Sequence, residues 1–291
     1  MTESLQAQRK AEHLSLAEKL YPSSHRENSF AQVRLLAPAL PETAVAEVDL
    51  TTPLGPLTLE RPYFIEAMTG GSRQATKVNR QLARLAKRHR LAMATGSMSI
   101  IFKDPEAAAS FTAIREENPD GLVFANLGAG ANLTQAKQAV DLIGADALEI
   151  HLNALQETVM AEGDRAFYWR ENLAAIIADL DVPVIVKEVG AGMRAESIAA
   201  LAQLGAQLVT VAGRGGTNFA AIENRRNRKE DLTFLEDFGL TTPESLLEAR
   251  LLATDQRPTI LANGGITSPL DLVKALALGA RAGGIAGAFL H

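Results

Sequence analysis

LEIHLNALQE, from Leu148 to Glu157, runs from an apolar stretch straight into hydrogen-bonding chemistry. Leu148 to His151 read as the end of a buried strand, and His151, Asn153, Gln156 and Glu157 follow at once. A strand that leaves the core into a polar cluster marks the active-site rim of an α/β protein. His151 and Asn153 are two apart, so they share one face of the strand end. Gln156 and Glu157 come as the chain turns towards a helix. Glu157 has no basic neighbour in the run, which leaves a bound cation as a candidate partner.

The same rhythm recurs outward from this stretch. Strands are predicted over Tyr63–Met68, Leu91–Thr95, Leu122–Ala125, Ala147–Leu152, Val184–Lys187, Leu208–Ala212, Thr259–Ala262 and Ala282–Ala286. Most are joined by helix-like segments, at 75–89, 136–143, 169–180, 195–204, 243–253 and 269–278. Short apolar runs without strict alternation suit a parallel sheet covered on both faces. Eight such units predict an α/β fold of the (β/α)8 TIM-barrel type, with a doubly wound sheet as the alternative. Glycines and polar residues follow the strands at their C-terminal ends, the catalytic face of such a barrel.

Residues 1–61 are expected to form an N-terminal extension and cap or lid, and 62–291 the barrel. The first 19 residues are polar and helix-prone and carry Arg9, Lys10 and His13. PETAVAEVDLTTPLGPLTLERP, residues 41–62, suggests an extended segment or hairpin over one barrel end. The chain as written stops at His291, just after the eighth strand, so the closing C-terminal helix is expected to be absent from it.

Composition narrows the function. Of 291 residues 47% are hydrophobic, enough for a sizeable core, and only 5% are aromatic, which suits close helix-on-strand packing. A net charge of -5 offers no general attraction to nucleic acid or anionic membrane, so an anionic ligand needs local basic groups. With no cysteine, disulfides, thiolate metal sites and a cysteine nucleophile are excluded. No signal-peptide pattern opens the chain, and no run approaches the roughly 20 apolar residues of a membrane span. A cytoplasmic enzyme is the expectation.

The strand ends carry the chemistry. Asn263-Gly264-Gly265-Ile266 and Gly287-Ala288-Phe289 follow the last two strands, where barrels hold phosphate on backbone N–H groups; the other reading is tight turns alone. Lys187 ends an apolar strand and needs an anion nearby. That anion is a ligand's phosphate or ring, or a carboxylate such as Glu66; Schiff-base chemistry is a further option. In GRGGTNFAAIENRR (213–226), Thr217 and its glycines offer phosphate donors, and Glu223 is either an acid–base group or half of a salt bridge with Arg225 or Arg226. Met68-Thr69-Gly70-Gly71 and Gly96-Ser97-Met98 either face a flat ring or cap helices.

With these motifs the chain resembles the type 2, flavin-dependent isopentenyl-diphosphate isomerases. The match is carried by RKAEH (9–13), AMTGG (67–71), TGSM (95–98), HLNALQE (151–157), VIVKEVGAGM (184–193), AGRGGTNFAAIENRR (212–226) and NGGI (263–266). The resemblance implies an FMN-bound barrel, a homotetramer, that interconverts isopentenyl and dimethylallyl diphosphate in isoprenoid biosynthesis. It implies reduced FMN and Mg2+ as requirements and NADPH as the reductant. By the same resemblance, Met68, Thr69, Ser97, Asn126, Lys187 and Thr217 contact FMN, and the Gly264-Gly265 and Ala288-Phe289 backbones hold its phosphate. Arg9, Lys10, His13, His151, Asn153 and Gln156 surround the substrate, with Arg9 and Lys10 folding over as a lid. Glu157 binds Mg2+, and Gln156, Glu223 and Lys187 take part in the chemistry. The chain departs from the family in having Thr267 where arginine is common, which removes a phosphate contact, and in ending early.

Two other functions compete. An FMN-dependent oxidoreductase of the 2-hydroxy-acid type would place a histidine on the late strands, but the histidines are 13, 25, 89, 151 and 291, and AGRGGTN has none. A chemistry like that of inosine-monophosphate dehydrogenase needs a cysteine. A catalytically inactive phosphate-binding barrel is the third reading.

Overall fold

The structure is a computed structural model that describes residues 5–24, 28–227 and 230–291; within 5–24 the described side chains are those of residue 10 and residues 12–21. Eight parallel strands close a barrel in chain order. They follow a helix α1 (Leu5–Ser24) and a hairpin of β1 (Thr52–Leu54) and β2 (Leu57–Leu59). The barrel strands are β3 (Tyr63–Ile65), β4 (Met93–Ala94), β5 (Val123–Gly128), β6 (Ala147–Leu152), β7 (Val184–Glu188), β8 (Leu208–Ala212), β9 (Thr259–Asn263) and β10 (Gly283–Ile285). The helices after α1 are α2 (Arg73–His89), α3 (Ala109–Glu117), α4 (Leu133–Ile143), α5 (Ala154–Val159), α6 (Arg170–Asp179), α7 (Ala195–Gln203), α8 (Phe219–Arg226), α9 (Thr242–Arg250), α10 (Pro269–Ala277) and the short α11 (Gly287–Leu290). The eight-unit expectation therefore holds. β3 and β4 are shorter than predicted, because their ends bend into the Thr69–Ser72 and Gly96 turns.

The two-residue period of a strand explains why the site is where it is. Val123, Ala125, Leu148, Ile150, Val186, Val209 and Val211 face outward and bury against the helices. Phe64, Phe124, Ala147, Ile185, Leu208 and Leu261 face inward and form an apolar layer, sealed by Leu54 and Leu59 of the hairpin. Fully burying side chains of this size stabilises by about 1.5–3 kcal/mol each. Two residues further along the same strands come Glu66, Asn126, Glu149, Lys187, Thr210 and Asn263. The barrel interior thus changes from hydrocarbon to polar in one step towards its C-terminal end.

The helices are stopped and started by local chemistry. Ser72 caps α2, Asn132 caps α4 and Asn218 caps α8, each side chain accepting from a first-turn amide. Gly144, at φ +53°, ends α4 in the left-handed conformation. α1 crosses the C-terminal face of the barrel: Leu14 is buried, Lys10 Nζ donates to the Ser97 carbonyl at 2.7 Å, and the Tyr21 ring stacks on His291 with centroids 3.9 Å apart. Among the described residues no helix is long and apolar enough to cross a membrane.

Candidate active site

A cavity of about 560 Å3 opens at the C-terminal ends of the strands. Its wall is drawn from both termini of the chain and from every barrel strand end, and its size suits a cofactor with a small substrate. Met68, Thr69, Ser97, Asn126, Lys187, Thr217, Gly264, Gly265 and Ala288 all line it. So do Lys10, His13, His151, Asn153, Gln156 and Glu157. Two expected residues stand apart. Phe289 packs its ring against the apolar layer outside the barrel, and Glu223 is fully buried behind the wall. The side chain of Arg9 lies outside the described residues.

β6 and its turn build one side. His151 Nδ1 donates to Asn126 Oδ1 at 2.8 Å, and Asn126 Nδ2 donates to Glu149 Oε2 at 3.0 Å. Burial, then the nearby Lys187 and Lys10 cations, hold the His151 imidazole down to a pKa of about 3, so it is neutral, with Nε2 left as the acceptor. Asn153 Nδ2 donates to Glu157 Oε1 at 2.8 Å, and the Asp164 amide donates to Glu157 Oε2 at 2.8 Å. Among the described residues no group of three or more His, Asp or Glu side chains forms a metal cage. Glu157 can therefore hold Mg2+ only with a ligand's oxygens and water, a normal arrangement for this ion.

The opposite side is made of loops. Gly264 and Gly265 have φ of +86° and +77°. The loop after β8 packs straight onto them: a Cβ on Gly216 would lie 2.8 Å from Gly264 Cα, and one on Gly264 2.3 Å from the Gly213 carbonyl oxygen. Among the described residues the amides of Gly265 and Ile266 donate to no protein acceptor, which fits an anion held at this turn. Thr267, by contrast, is occupied, its amide and hydroxyl both donating to Asp271 Oδ2. The first glycine pair serves packing, since a Cβ on Gly70 would strike Phe111 and one on Gly96 the Thr69 backbone. Ser72 caps α2, and Thr69 and Ser97 are left to face the cavity.

Lys187 sits on the cavity floor and resolves as an ion pair: Nζ lies 2.5 Å from Glu66 Oε1 and 3.5 Å from Glu149 Oε2. Burial alone would lower its pKa, but Glu149 and Glu66 outweigh burial and raise it. Glu149 was legible only as a strand residue within LEIHL. The overlooked signal was a carboxylate between Leu148 and Ile150, which alternation places inside the barrel. Glu188, also passed over, accepts from the Val189, Gly190 and Ala191 amides and shapes the turn after β7; burial pushes it up to about 7 against those bonds.

Glu223 joins α8 to the site and to α1. Its Oε1 accepts from Gln156 Nε2 at 2.9 Å and lies 2.9 Å from His13 Nε2, while Oε2 accepts from Arg226 at 2.5 Å. Arg226 also meets Glu12 of α1 and Glu162. Burial would raise the Glu223 carboxyl, but His13, Gln156 and Arg226 hold it down to about 2. It is thus both the expected salt bridge and the residue that orients Gln156.

Residues 112–291 match the FMN-dependent dehydrogenase family. Over 100% of its length the chain is 57% identical to an isopentenyl-diphosphate delta-isomerase of Limosilactobacillus reuteri, covering 84% of that protein. It is 50% identical to one from Latilactobacillus sakei subsp. sakei, with 99% of this chain and 82% of that protein covered. Among solved structures, flavocytochrome b2 with sulfite bound superposes with a TM-score of 0.68 at 18% identity, over 97% of this chain and 71% of that one; this likeness shows the barrel fold.

Proposed function

The chain belongs to the isopentenyl-diphosphate delta-isomerase family within the FMN-dependent dehydrogenase barrels, and on that premise we propose that it interconverts isopentenyl and dimethylallyl diphosphate, using reduced FMN and Mg2+. The observation that carries this reading is one cavity with two unlike walls. Glycine loops with free amides stand on one side, and Lys10, His13, His151, Asn153, Gln156 and Glu157 on the other. The first wall fits a phosphate-bearing cofactor, the second a second, diphosphate-bearing ligand.

Reduced FMN, when bound, supplies an electron-rich ring face that can exchange a proton with an allylic carbon. The protein's residues do the rest. Lys10 brings positive charge over the cavity, and neutral His151 and the Asn153 amide orient the diphosphate. Glu157 would supply the protein carboxylate for Mg2+, which would neutralise diphosphate charge. Lys187, a cation on the cavity floor, would offset the negative charge that reduction leaves on the bound ring. Gln156, its amide fixed by Glu223, borders the reacting carbons and holds a proton donor or acceptor in place. α1 acts as the lid that excludes water from a developing carbocation. The protein is expected to be a cytoplasmic homotetramer with NADPH as reductant.

The test is anaerobic conversion of isopentenyl diphosphate with FMN, dithionite and Mg2+, leaving out each in turn. Dimethylallyl diphosphate should form only when all are present. Conversion without FMN, or none with FMN bound and Mg2+ present, would overturn the reading.

A further inference from the structure

Three ionisable side chains meet at the cavity floor, Glu149 just beneath it, and do not balance. Glu66, Glu149 and Lys187 are all at least nine-tenths buried. One ammonium meets two carboxyls, at 2.5 Å and 3.5 Å. Asn126 gives Glu149 Oε2 a second donor at 3.0 Å, and the Ala67 amide gives Glu66 Oε1 one at 2.6 Å. Among the described residues Glu66 Oε2 and Glu149 Oε1 are buried without a donor. The described side chains around them add no compensating charge. β5 presents neutral Asn126, β6 presents His151, which is neutral, and β8 presents the Thr210 hydroxyl. The next cation outward is Lys10 of α1, beyond His151.

A second full negative charge in this place would be desolvated and unpaired, which proteins avoid by keeping a proton. We propose that Glu149 is the positioning residue that holds one proton in the resting protein, beside the Glu66–Lys187 ion pair, so that the base of the cavity gains or loses a proton as the charge of the cofactor changes. Burial first, then the Glu66 charge and a side-chain contact with Glu66, push Glu149 up to about 8 against the pull of Lys187, in agreement with the charge count. The inference rests on the FMN reading above.

The consequence is a second proton site coupled to cofactor reduction. The Glu149 proton is lost as pH rises through about 8. The negative charge left by two-electron reduction opposes that loss, so the reduced form keeps the proton to higher pH. In the window between, two electrons from dithionite enter with two protons from solvent, one to the ring and one to Glu149. Outside that window reduction to the anionic ring takes one.

The experiment is potentiometric titration of the full FMN-loaded chain across neutral to alkaline pH, reading protons taken up per two electrons from the slope of midpoint potential against pH. The wild type should show a steepened, two-proton segment on the alkaline side, and Glu149→Gln a one-proton slope throughout. A wild type without the steep segment, or a Glu149→Gln protein that keeps it, overturns the proposal. Should Glu149→Gln fail to fold, Glu66→Gln also removes the surplus carboxyl and must abolish the steep segment; its persistence there overturns the proposal equally. A wild type that binds no FMN would instead defeat the cofactor reading itself.

Discussion

Gln156 Nε2 donates to Glu223 Oε1 over 2.9 Å, and that bond decides which way the Gln156 amide faces. An ionised carboxylate only accepts, so the amide's NH2 must turn to it and the carbonyl must turn away. Glu223 is kept ionised by His13, Gln156 and Arg226 despite full burial. Glu223→Gln removes that demand and leaves Arg226 with one acceptor fewer. Losing a hydrogen bond to a buried charge costs about 1.5–3 kcal/mol, so kcat should fall roughly 10- to 100-fold. FMN affinity should be nearly unchanged, since Glu223 does not line the cavity; a matching loss of FMN binding would show the role to be structural.

Glu157 is held from both sides, by Asn153 and by the Asp164 amide, and among the described residues no other carboxylate completes a cage. Glu157→Gln keeps the shape and removes the charge. The Mg2+ concentration for half-maximal turnover should rise by about tenfold or more, the effect of losing the single anionic protein ligand. An unchanged Mg2+ titration would remove Glu157 from the metal site.

α1 reaches the cavity through Lys10, bonded to the Ser97 carbonyl, and His13, against Glu223. Deleting residues 1–13 should raise KM for isopentenyl diphosphate far more than it raises the FMN Kd. Equal changes in the two would sink the lid assignment, because they would mean that the helix supports the barrel as a whole.

Gly264 and Gly144 both take positive φ, yet only one is crowded. A Cβ on Gly264 would lie 2.3 Å from the Gly213 carbonyl oxygen, whereas one on Gly144 meets nothing within 4 Å. Gly144→Ala should cost about 1 kcal/mol of stability from its backbone alone and leave FMN binding intact. Gly264→Ala should cost more and weaken FMN binding, because the loops after β8 and β9 must separate. Denaturant unfolding and flavin fluorescence titration measure the two effects.

Acid should unfold the protein through His151 and Glu223. His151 is lowered from 6.5 to about 3, so the unfolded chain binds the extra proton between those values and stability falls as pH drops through that window. Glu223, lowered from 4.5 to about 2, contributes stability above 4.5 that is lost as pH falls through about 2. Glu149, raised from 4.5 to about 8, works the other way, with stability falling as pH rises between those values. Between pH 4.5 and 6.5 the His151 and Glu149 contributions oppose each other, so urea midpoints should be nearly flat there in the wild type and should fall with rising pH in His151→Asn; an unaltered profile would show that the imidazole is not held neutral by burial.

The barrel could be read from the sequence because its evidence is local. A strand turns its side chains over every two residues, so Phe124 and Asn126, or Ile185 and Lys187, announce an apolar layer and a polar one above it without any knowledge of the neighbours. The strand-end positions of His151, Asn153, Gln156 and Glu157 followed in the same way, and so did the glycine turn at Gly264-Gly265. What tertiary structure alone decided is which charge meets which. Lys187 finds Glu66 across 121 positions, and Arg226 finds Glu12 across 214. Whether Glu223 would be an acid–base group or half of a salt bridge stayed open in sequence, because its fate depends on α1 lying over the barrel mouth with His13 beside it. Backbone periodicity is fixed within a few residues of chain, whereas the partners of a buried charge are set by barrel closure and strand register, which no single segment contains.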